Sequence, residues 1–517
     1  MSARYLVGVD IGTFESKGVI TTLEGRVVTT AVTAHEMLVP RPGWAEHDAE
    51  RVWWGDFVTI TRRMLAESGI APTAVAGIGV SAIAPDVLPV DRACVPLRAG
   101  GILYGVDTRA TAEIAEIEAR VGADAIFRET GNVLSSQAVG PKILWLKRHE
   151  PEVYRAAHKF VTATTFLVAR LTGEFVIDHL TGAFALPLYD FPQRAWTDRL
   201  APDIVELDRL PRLGWADEVA GRVTPWAAGE TGLAEGTPVV IGTSDAAAEA
   251  VSVGVIDPGE MMLMYGSTVF MIEVVDRPVA DRRLWAAPYL FDGTSCLMGG
   301  MATSGTLTRW FRDRLAADLV AREASGGPPA YEALVAEGRA VPPGSDGLVC
   351  LPYWSGERTP INDPEARGMF LGLTLAHTRG HMFRAVLEGI GYGVRHHLEV
   401  MREMGAAPRA VVAVGGGTKN PLWLEVVSDI AQQAQIVPGI TMGACYGDAF
   451  LAGMGAGVFE SYTAIRAWTQ AGRRVVEPDA AKAGLYDRYQ RFYHEVYAQN
   501  RDLMHRLWEL GPEKDGG

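Results

Sequence analysis

Apolar and small residues fall along this chain in short runs that each break at a glycine-rich turn. Leu6–Lys17 (LVGVDIGTFESK) reads as strand, tight turn, strand, and the first run carries one charge, Asp10. A second reversal at Leu23–Arg26 leads to a third strand through Val32. Helical spacing follows in Ala49–Glu67, with Val52, Trp53, Phe57, Ile60 and Leu65 on one face. Ala74–Val80 is an unbroken small-apolar run of the kind buried on both faces of a sheet. Thr108–Val121 and Lys142–His149 read as helices, and Val239–Gly242 as a buried strand running into Asp245.

After Gly254 and the turn Asp257-Pro258-Gly259, the order restarts. Glu260–Val275 is again strand, small-residue turn, strand, an echo of residues 5–22. Phe383, Val386, Leu387, Ile390, Val394 and Leu398 mark a long helix, and Pro421 suits the first turn of another. Ser325–Pro329 and Val341–Asp346 are loops. Asp479–Leu510 is a helical tail expected to fray at Gly511–Gly517. Two β-rich halves predict two related α/β domains, residues 1–254 and 255–517, with a ligand cleft between them.

Composition narrows the class. With 517 residues, 48% hydrophobic and 21% charged, the chain can bury full cores. Its net charge of −14 argues against broad nucleic-acid or anionic-membrane binding. The four cysteines lack any C-x-x-C pair, which fits a reduced compartment and gives no thiolate metal site. No signal-peptide pattern and no apolar run of ~20 residues is present, so a cytoplasmic protein is expected.

The turns carry the chemistry. Asp10–Thr13 with Lys17, Gly266-Ser267-Thr268 in MYGST, and Gly415-Gly416-Gly417 in VVAVGGGTKN each present backbone N–H groups and hydroxyls at a strand end. Such groups donate to phosphate oxygens, and glycine allows close approach. Any one of them alone reads equally well as an ordinary turn. None has Walker A or G-x-G-x-x-G spacing. Asp245 ends a buried strand among small residues, where a carboxylate needs a partner or a task. It is either a base for an attacking alcohol or the N-cap of a helix at Ala246–Ala250. His35, His47 and His396-His397 have no metal-site spacing and read as packed or solvated. Trp44, in a loop after Pro42-Gly43, could line a cleft.

Taken together these residues resemble the FGGY carbohydrate kinases, from about Tyr5 to about Phe459. The most specific part is Gly368–Glu388 (GMFLGLTLAHTRGHMFRAVLE). It is similar to that family's second signature at Gly368, Phe370, Gly372, Leu373, His381, Met382, Ala385, Val386, Leu387 and Glu388. Pro42–Asp48, Lys142–Leu146, Gly232–Asp245 and Leu351–Pro360 support it, the last resembling xylulose kinases. The resemblance implies two ribonuclease-H-like domains, as in actin and hexokinase, closing over ATP and a sugar. It also implies residue roles. Asp245 would be the catalytic base and, with Asp10, lie on the Mg²⁺ side. Thr13 and Lys17 would serve the first phosphate loop, and Gly266, Ser267 and Thr268 the second. Gly305 would lie near the nucleotide, and Gly415, Gly416, Gly417 and Asn420 on the adenosine side.

The sugar side departs from the pattern. Where relatives carry Arg-Glu or Met-His, this chain has Ser81–Asp86 (SAIAPD). The Trp-Asn-Asp-x-Arg motif becomes Tyr104–Arg109 (YGVDTR), and Thr165 replaces a frequent aspartate before Phe166-Leu167. Asp86, Tyr104, Asp107, Asp245 and Trp44 are the expected sugar wall. The expected reaction is ATP-dependent phosphorylation of a pentulose, other ketose or polyol. A same-fold kinase for erythritol, glycerol or a linear signalling ketone is the alternative, and an actin- or chaperone-like ATPase switch a remoter one. A homodimer is a further expectation.

Overall fold

The computed structural model describes residues 4–510, so the expected fraying at Gly511–Gly517 lies outside the described residues. The chain divides into two compact units. One comprises residues up to Pro258 with Val274–Cys296 and Ile440–Ala471; the other comprises Gly259–Glu273, Leu297–Gly439 and the chain from Gly472. The expected division was a single boundary at 254/255, whereas these units are discontinuous in sequence. The two returning segments are what a continuous division misses.

The first unit is built on a seven-stranded mixed sheet. Its order is Val219–Arg222, Pro238–Val240, Val75–Ala82, Tyr5–Ile11, Glu15–Thr22, Val27–Ala34, with Thr243–Ser244 also beside Val75–Ala82. Tyr5–Ile11 is antiparallel to Glu15–Thr22 and parallel to Val75–Ala82. Gly8 and Gly18 point to opposite faces, because Gly18 pairs with Val9 in this register. On the Gly18 face lies the helix Gly55–Ser68, whose Ile60 and Met64 fill the space a side chain would take.

On the other face lies Ala444–Gly455, and this contact explains why Ile440–Ala471 belongs to the first unit. A Cβ on Gly8 would stand 1.9 Å from the Cys445 carbonyl oxygen, and one on Gly79 would stand 2.0 Å from that of Asp448. Real Cβ atoms never come so close, so the helix rests almost directly on the two strands, and only glycine permits it.

A second seven-stranded sheet runs Trp285–Pro288, Ser295–Met301, Val269–Val275, Glu260–Tyr265, Ala410–Val414, Gln435–Val437, Arg474–Val476. Glu260–Tyr265 is antiparallel to the strand after its turn and parallel to Ala410–Val414. This is the local plan of the first sheet, and the echo in the sequence is therefore structural. The long helix is Arg379–Glu403, and Pro421 opens Pro421–Ala431. The signature residue Glu388 sits inside the second unit. It accepts hydrogen bonds from Arg384 Nε (3.0 Å), Gly344 N (2.8 Å), Ser345 Oγ (2.8 Å) and Tyr486 OH (3.0 Å). The most specific sequence signal thus anchors the Val341–Asp346 loop and the C-terminal helix Ala483–Glu509. No helix among the described residues is long and apolar enough to cross a membrane.

Glu273, in the middle of this sheet, is buried with Oε2 lacking a hydrogen-bond partner. Burial pushes its carboxyl up to about 8. The folded protein therefore keeps a proton that the unfolded chain releases above about pH 4.5, so stability falls as pH rises from there towards 8. Glu273→Gln is expected to stabilise the protein at pH 8 by on the order of 1–3 kcal/mol and by much less at pH 5. Urea unfolding at the two pH values measures the difference; equal gains at both would refute a buried neutral acid.

Candidate functional site

In the first unit, Asp245 is the first residue of the helix Asp245–Ser252, but the N-cap is Ser244, whose hydroxyl accepts from Ala247 N. The capping alternative for Asp245 is thereby removed. Its carboxylate accepts from Ala246 N (2.7 Å), remains part-exposed, and is pushed up to about 6 by burial of its surroundings. Its negative charge helps raise the carboxyls of Asp10, Asp86, Glu249 and Asp448, so these acids share one neighbourhood.

Asp10 is held beside Ser81 by parallel register, and Ser81 Oγ lies 3.1 Å from Asp10 Oδ1 and 2.7 Å from Asp448 Oδ2. A hydroxyl has one proton for two carboxyl groups. Asp448 is fully buried, and its Oδ1 has no partner. Burial and then the charge of Asp10 hold Asp448 well above the usual carboxylate range. Sequence reading missed this acid because it lies on a helix far along the chain. Its one signal is a charge amid small residues in Ala444–Gly455 (ACYGDAFLAGMG). Burial first, then Asp245, likewise raises Asp10. Lys17 pairs with Glu15 (2.7 Å), and its charge reaches Asp10 and Glu249.

The first turn shows an asymmetry in its backbone. All five carbonyls from Ile11 to Glu15 are engaged. Ile83 N, the His35 ring, the His47 ring, His35 N and Gly12 N take them in that order. The N–H groups of Thr13 and Phe14 make no hydrogen bond within the described residues. Thr13 Oγ1 lies 3.2 Å from the hydroxyl of Tyr104.

The expected sugar wall is only partly brought together. Tyr104 is half-buried and next to Thr13. Asp86 is fully buried, both its oxygens facing Ala163 N, and burial pushes it up to about 8. Lys142, buried and lowered to about 7 for the same reason, donates to the carbonyls of Leu103 (2.5 Å) and Tyr104 (3.0 Å). Asp107 is turned inward. It is fully buried, receives Arg109 through Nε and Nη2 (3.0 and 2.7 Å), and accepts from Ala45 N (2.7 Å). These partners tie it to the loop that carries Tyr104. Trp44 is likewise committed, with Arg109 4.0 Å over its ring and Trp145 edge-on at 5.2 Å.

The second unit repeats the first turn's asymmetry. The Gly266 carbonyl accepts from Gly305 N (3.1 Å) and Ser304 Oγ (3.1 Å), and that of Ser267 from Ser304 N (3.1 Å) and Thr306 N (3.0 Å). The N–H groups of Ser267 and Thr268 make no hydrogen bond within the described residues, and Ser267 is exposed. Gly305 is required because a Cβ there would stand 2.4 Å from the Gly266 oxygen, so its place is the joint between turn and helix. Gly415 adopts φ +90° against the Tyr265 carbonyl, and Gly416 borders open space. Gly417 packs on Tyr265 and Trp423, and Asn420 Oδ1 caps Pro421–Ala431 by accepting from Trp423 N (3.1 Å).

Comparison with known proteins agrees with this architecture. Residues 5–252 match the N-terminal domain, and residues 261–456 the C-terminal domain, of the FGGY family of carbohydrate kinases. The chain is 30% identical over 502 residues to a xylulose kinase of Escherichia coli (strain K12), covering 96% of this chain and 99% of the relative. It is 28% identical to a gluconokinase of Bacillus subtilis (strain 168), covering 89% of each. The crystal structure of xylulose kinase from Rhodospirillum rubrum superposes with a TM-score of 0.90 at 32% identity, covering 97% of this chain and 100% of that one. The chain belongs to the FGGY family, and is an ATP-dependent carbohydrate kinase, a phosphotransferase with an alcohol group as acceptor.

The Arg109 cluster generates a stability prediction. Arg109→Met strips the fully buried Asp107 of its bidentate partner and is expected to cost about 3–5 kcal/mol in urea unfolding. An unchanged midpoint would show that the pair does not hold the Tyr104 loop.

Proposed function

We propose that this kinase phosphorylates a terminal hydroxyl of a small neutral ketose, such as a pentulose, or of a polyol. The carrying observation is Asp245: part-exposed, released from capping by Ser244, and raised to about 6, so that it is ionised yet basic near neutral pH. In this reading Asp245 orients the acceptor hydroxyl and takes its proton. Tyr104 and Asp86 form the sugar wall. The Thr13 and Phe14 N–H groups, the Thr13 hydroxyl and Lys17 hold phosphate oxygens, as do Ser267 and Thr268 on the turn opened by Gly266. Gly415, Gly416, Gly417 and Asn420 serve the adenosine side, with Gly305 supporting the second turn.

A Mg²⁺ ion fits this donor set. Among the described residues no group of three or more acids, histidines or cysteines could enclose a metal. Mg²⁺ bound with ATP needs only one or two carboxylates, the rest being phosphate and water. Asp10 and Asp245 would supply them, and the ion would neutralise phosphate charge. The protein's own part is then positioning, which carries most of the work in phosphoryl transfer.

Electrostatics favour a neutral substrate over an aldonic acid, although gluconokinases are among the relatives. Asp245, at about 6, is ionised near neutral pH, while Lys142 and Arg109 are spent on internal partners instead of being offered to a substrate carboxylate. ADP release with Mg·ATP across pentuloses, hexuloses, glycerol, erythritol and gluconate tests this. A neutral ketose or polyol is expected to respond and gluconate to stay near background; a strong gluconate response, or ATPase activity driven by peptides instead of sugars, would overturn the reading. Asp245→Asn is expected to lower kcat by at least ~10² while ATP affinity changes little. Near-wild-type turnover in that variant would remove Asp245 from the chemistry.

A further inference from the structure

The two histidines of the first unit's turn have no part in the reaction as proposed, yet both ring systems end on its backbone. His47 is buried, and Trp53 Nε1 donates to its Nδ1 (3.3 Å). That leaves the proton on Nε2, which donates to the Thr13 carbonyl (3.0 Å). Burial, and then the neighbouring His35, hold His47 low, at about 4, so it acts as a neutral donor of fixed tautomer. His35 stands edge-on to it with ring centroids 5.0 Å apart. Its Nε2 meets the Gly12 carbonyl (3.0 Å), an oxygen that can only accept. Its Nδ1 meets Asp56 Oδ2 (2.8 Å), which also accepts from Ser16 Oγ (2.7 Å).

A trans peptide is planar, with its C=O and N–H pointing in opposite directions. Pinning the Gly12 oxygen therefore aims the Thr13 N–H the other way, and pinning the Thr13 oxygen does the same for Phe14. Those two N–H groups are the ones left without a partner, while every carbonyl from Ile11 to Glu15 is engaged. Consecutive free amides turned one way make a concavity for an anion.

We infer that His35 and His47, set by Asp56 and Trp53, are positioning residues that hold the Asp10–Thr13 turn in its phosphate-binding form. They grip its carbonyls from behind and touch neither sugar nor nucleotide. The inference rests on the proposed reading of this turn as a phosphate loop. It also explains why two histidines without metal-site spacing occur beside the turn. Glutamine can place an amide N–H near the position of a histidine Nε2, so it should replace the grip where alanine cannot.

The test uses the full chain and four measurements: Mg·ATP affinity by calorimetry, kcat, sugar KM and the thermal midpoint. His47→Ala and His35→Ala are expected to weaken Mg·ATP binding about 5- to 50-fold and to lower kcat. Sugar KM should stay within about twofold, and His47→Gln should recover most of the loss. Thr13→Val and Lys17→Ala separate this inference from the reading beneath it. If those two lose ATP affinity while all histidine variants bind normally, the turn is a phosphate loop but the histidine grip is refuted. If none of the four positions affects ATP binding, the phosphate-loop reading itself falls, and the inference with it. If His47→Gln is as damaged as His47→Ala, or if ATP and sugar binding fall together with the thermal midpoint, the histidines are packing residues and the inference fails.

Discussion

The contact on which the first unit depends is that of the helix Ala444–Gly455 with the backbones of Tyr5–Ile11 and Val75–Ala82. Gly8 and Gly79 let helix carbonyls approach to distances no side chain would tolerate. Gly447 does the same on the next side, where a Cβ would stand 2.0 Å from the Ala248 oxygen of the Asp245 helix. One helix is thus wedged against the strand carrying Asp10, the strand carrying Ser81 and the helix carrying Asp245. Any larger residue at these contacts would push those elements apart. The relative placement of the acids is therefore set by backbone-to-backbone packing, which is stiffer than packing through flexible side chains.

Both units solve the same problem at their turns, with different donors. A backbone turn that is to offer amides must dispose of its carbonyls. The first unit does so with two imidazoles, whose rings reach the Gly12 and Thr13 oxygens from neighbouring segments. The second uses the amides at the start of Gly305–Leu315, which take the Gly266 and Ser267 oxygens. In both, the consequence follows from peptide planarity: the carbonyls go inward and successive N–H groups outward. The likeness seen in the sequence as strand, turn, strand extends to this hydrogen-bond logic. The letters differ because a side-chain donor and a helix end can do the same job.

That difference shows what was legible in the chain. The strands and turns could be read because period and glycine placement are local properties. The Gly368–Glu388 signature could be read because a buried glutamate with four donors tolerates few substitutes. Asp245 was legible as a carboxylate needing a task, but only the hydroxyl of Ser244 removes the capping reading. The burial of Asp107 was not legible, because nothing local reveals that Arg109 folds back onto it between Trp44 and Trp145. Asp448 and the histidines were illegible for a related reason. Their partners lie 367 positions away for Asp448 and Ser81, and 34 for His47 and Thr13. Ile440–Ala471 joins the first unit through contacts of the same long range, so a division into consecutive halves could not include it.

The acids of the first unit also constrain how a nucleotide can be accommodated. Asp10, Asp245, Glu249 and Asp448 are all held above the usual carboxylate range, with burial as the first cause in each case. Such a group resists further negative charge, and a bare triphosphate would meet repulsion from every acid that is ionised. Lys17 is the basic side chain whose charge reaches Asp10 and Glu249, and it is shared with Glu15. Backbone N–H groups, which carry partial positive charge at no cost in side-chain entropy, supply the rest from the protein. In the proposed reading, a nucleotide arriving with its own divalent cation would convert the repulsion from Asp10 and Asp245 into attraction. Burial holds Asp448 above the usual carboxylate range and so disfavours a further negative charge there, while Ser81 bridges it to Asp10.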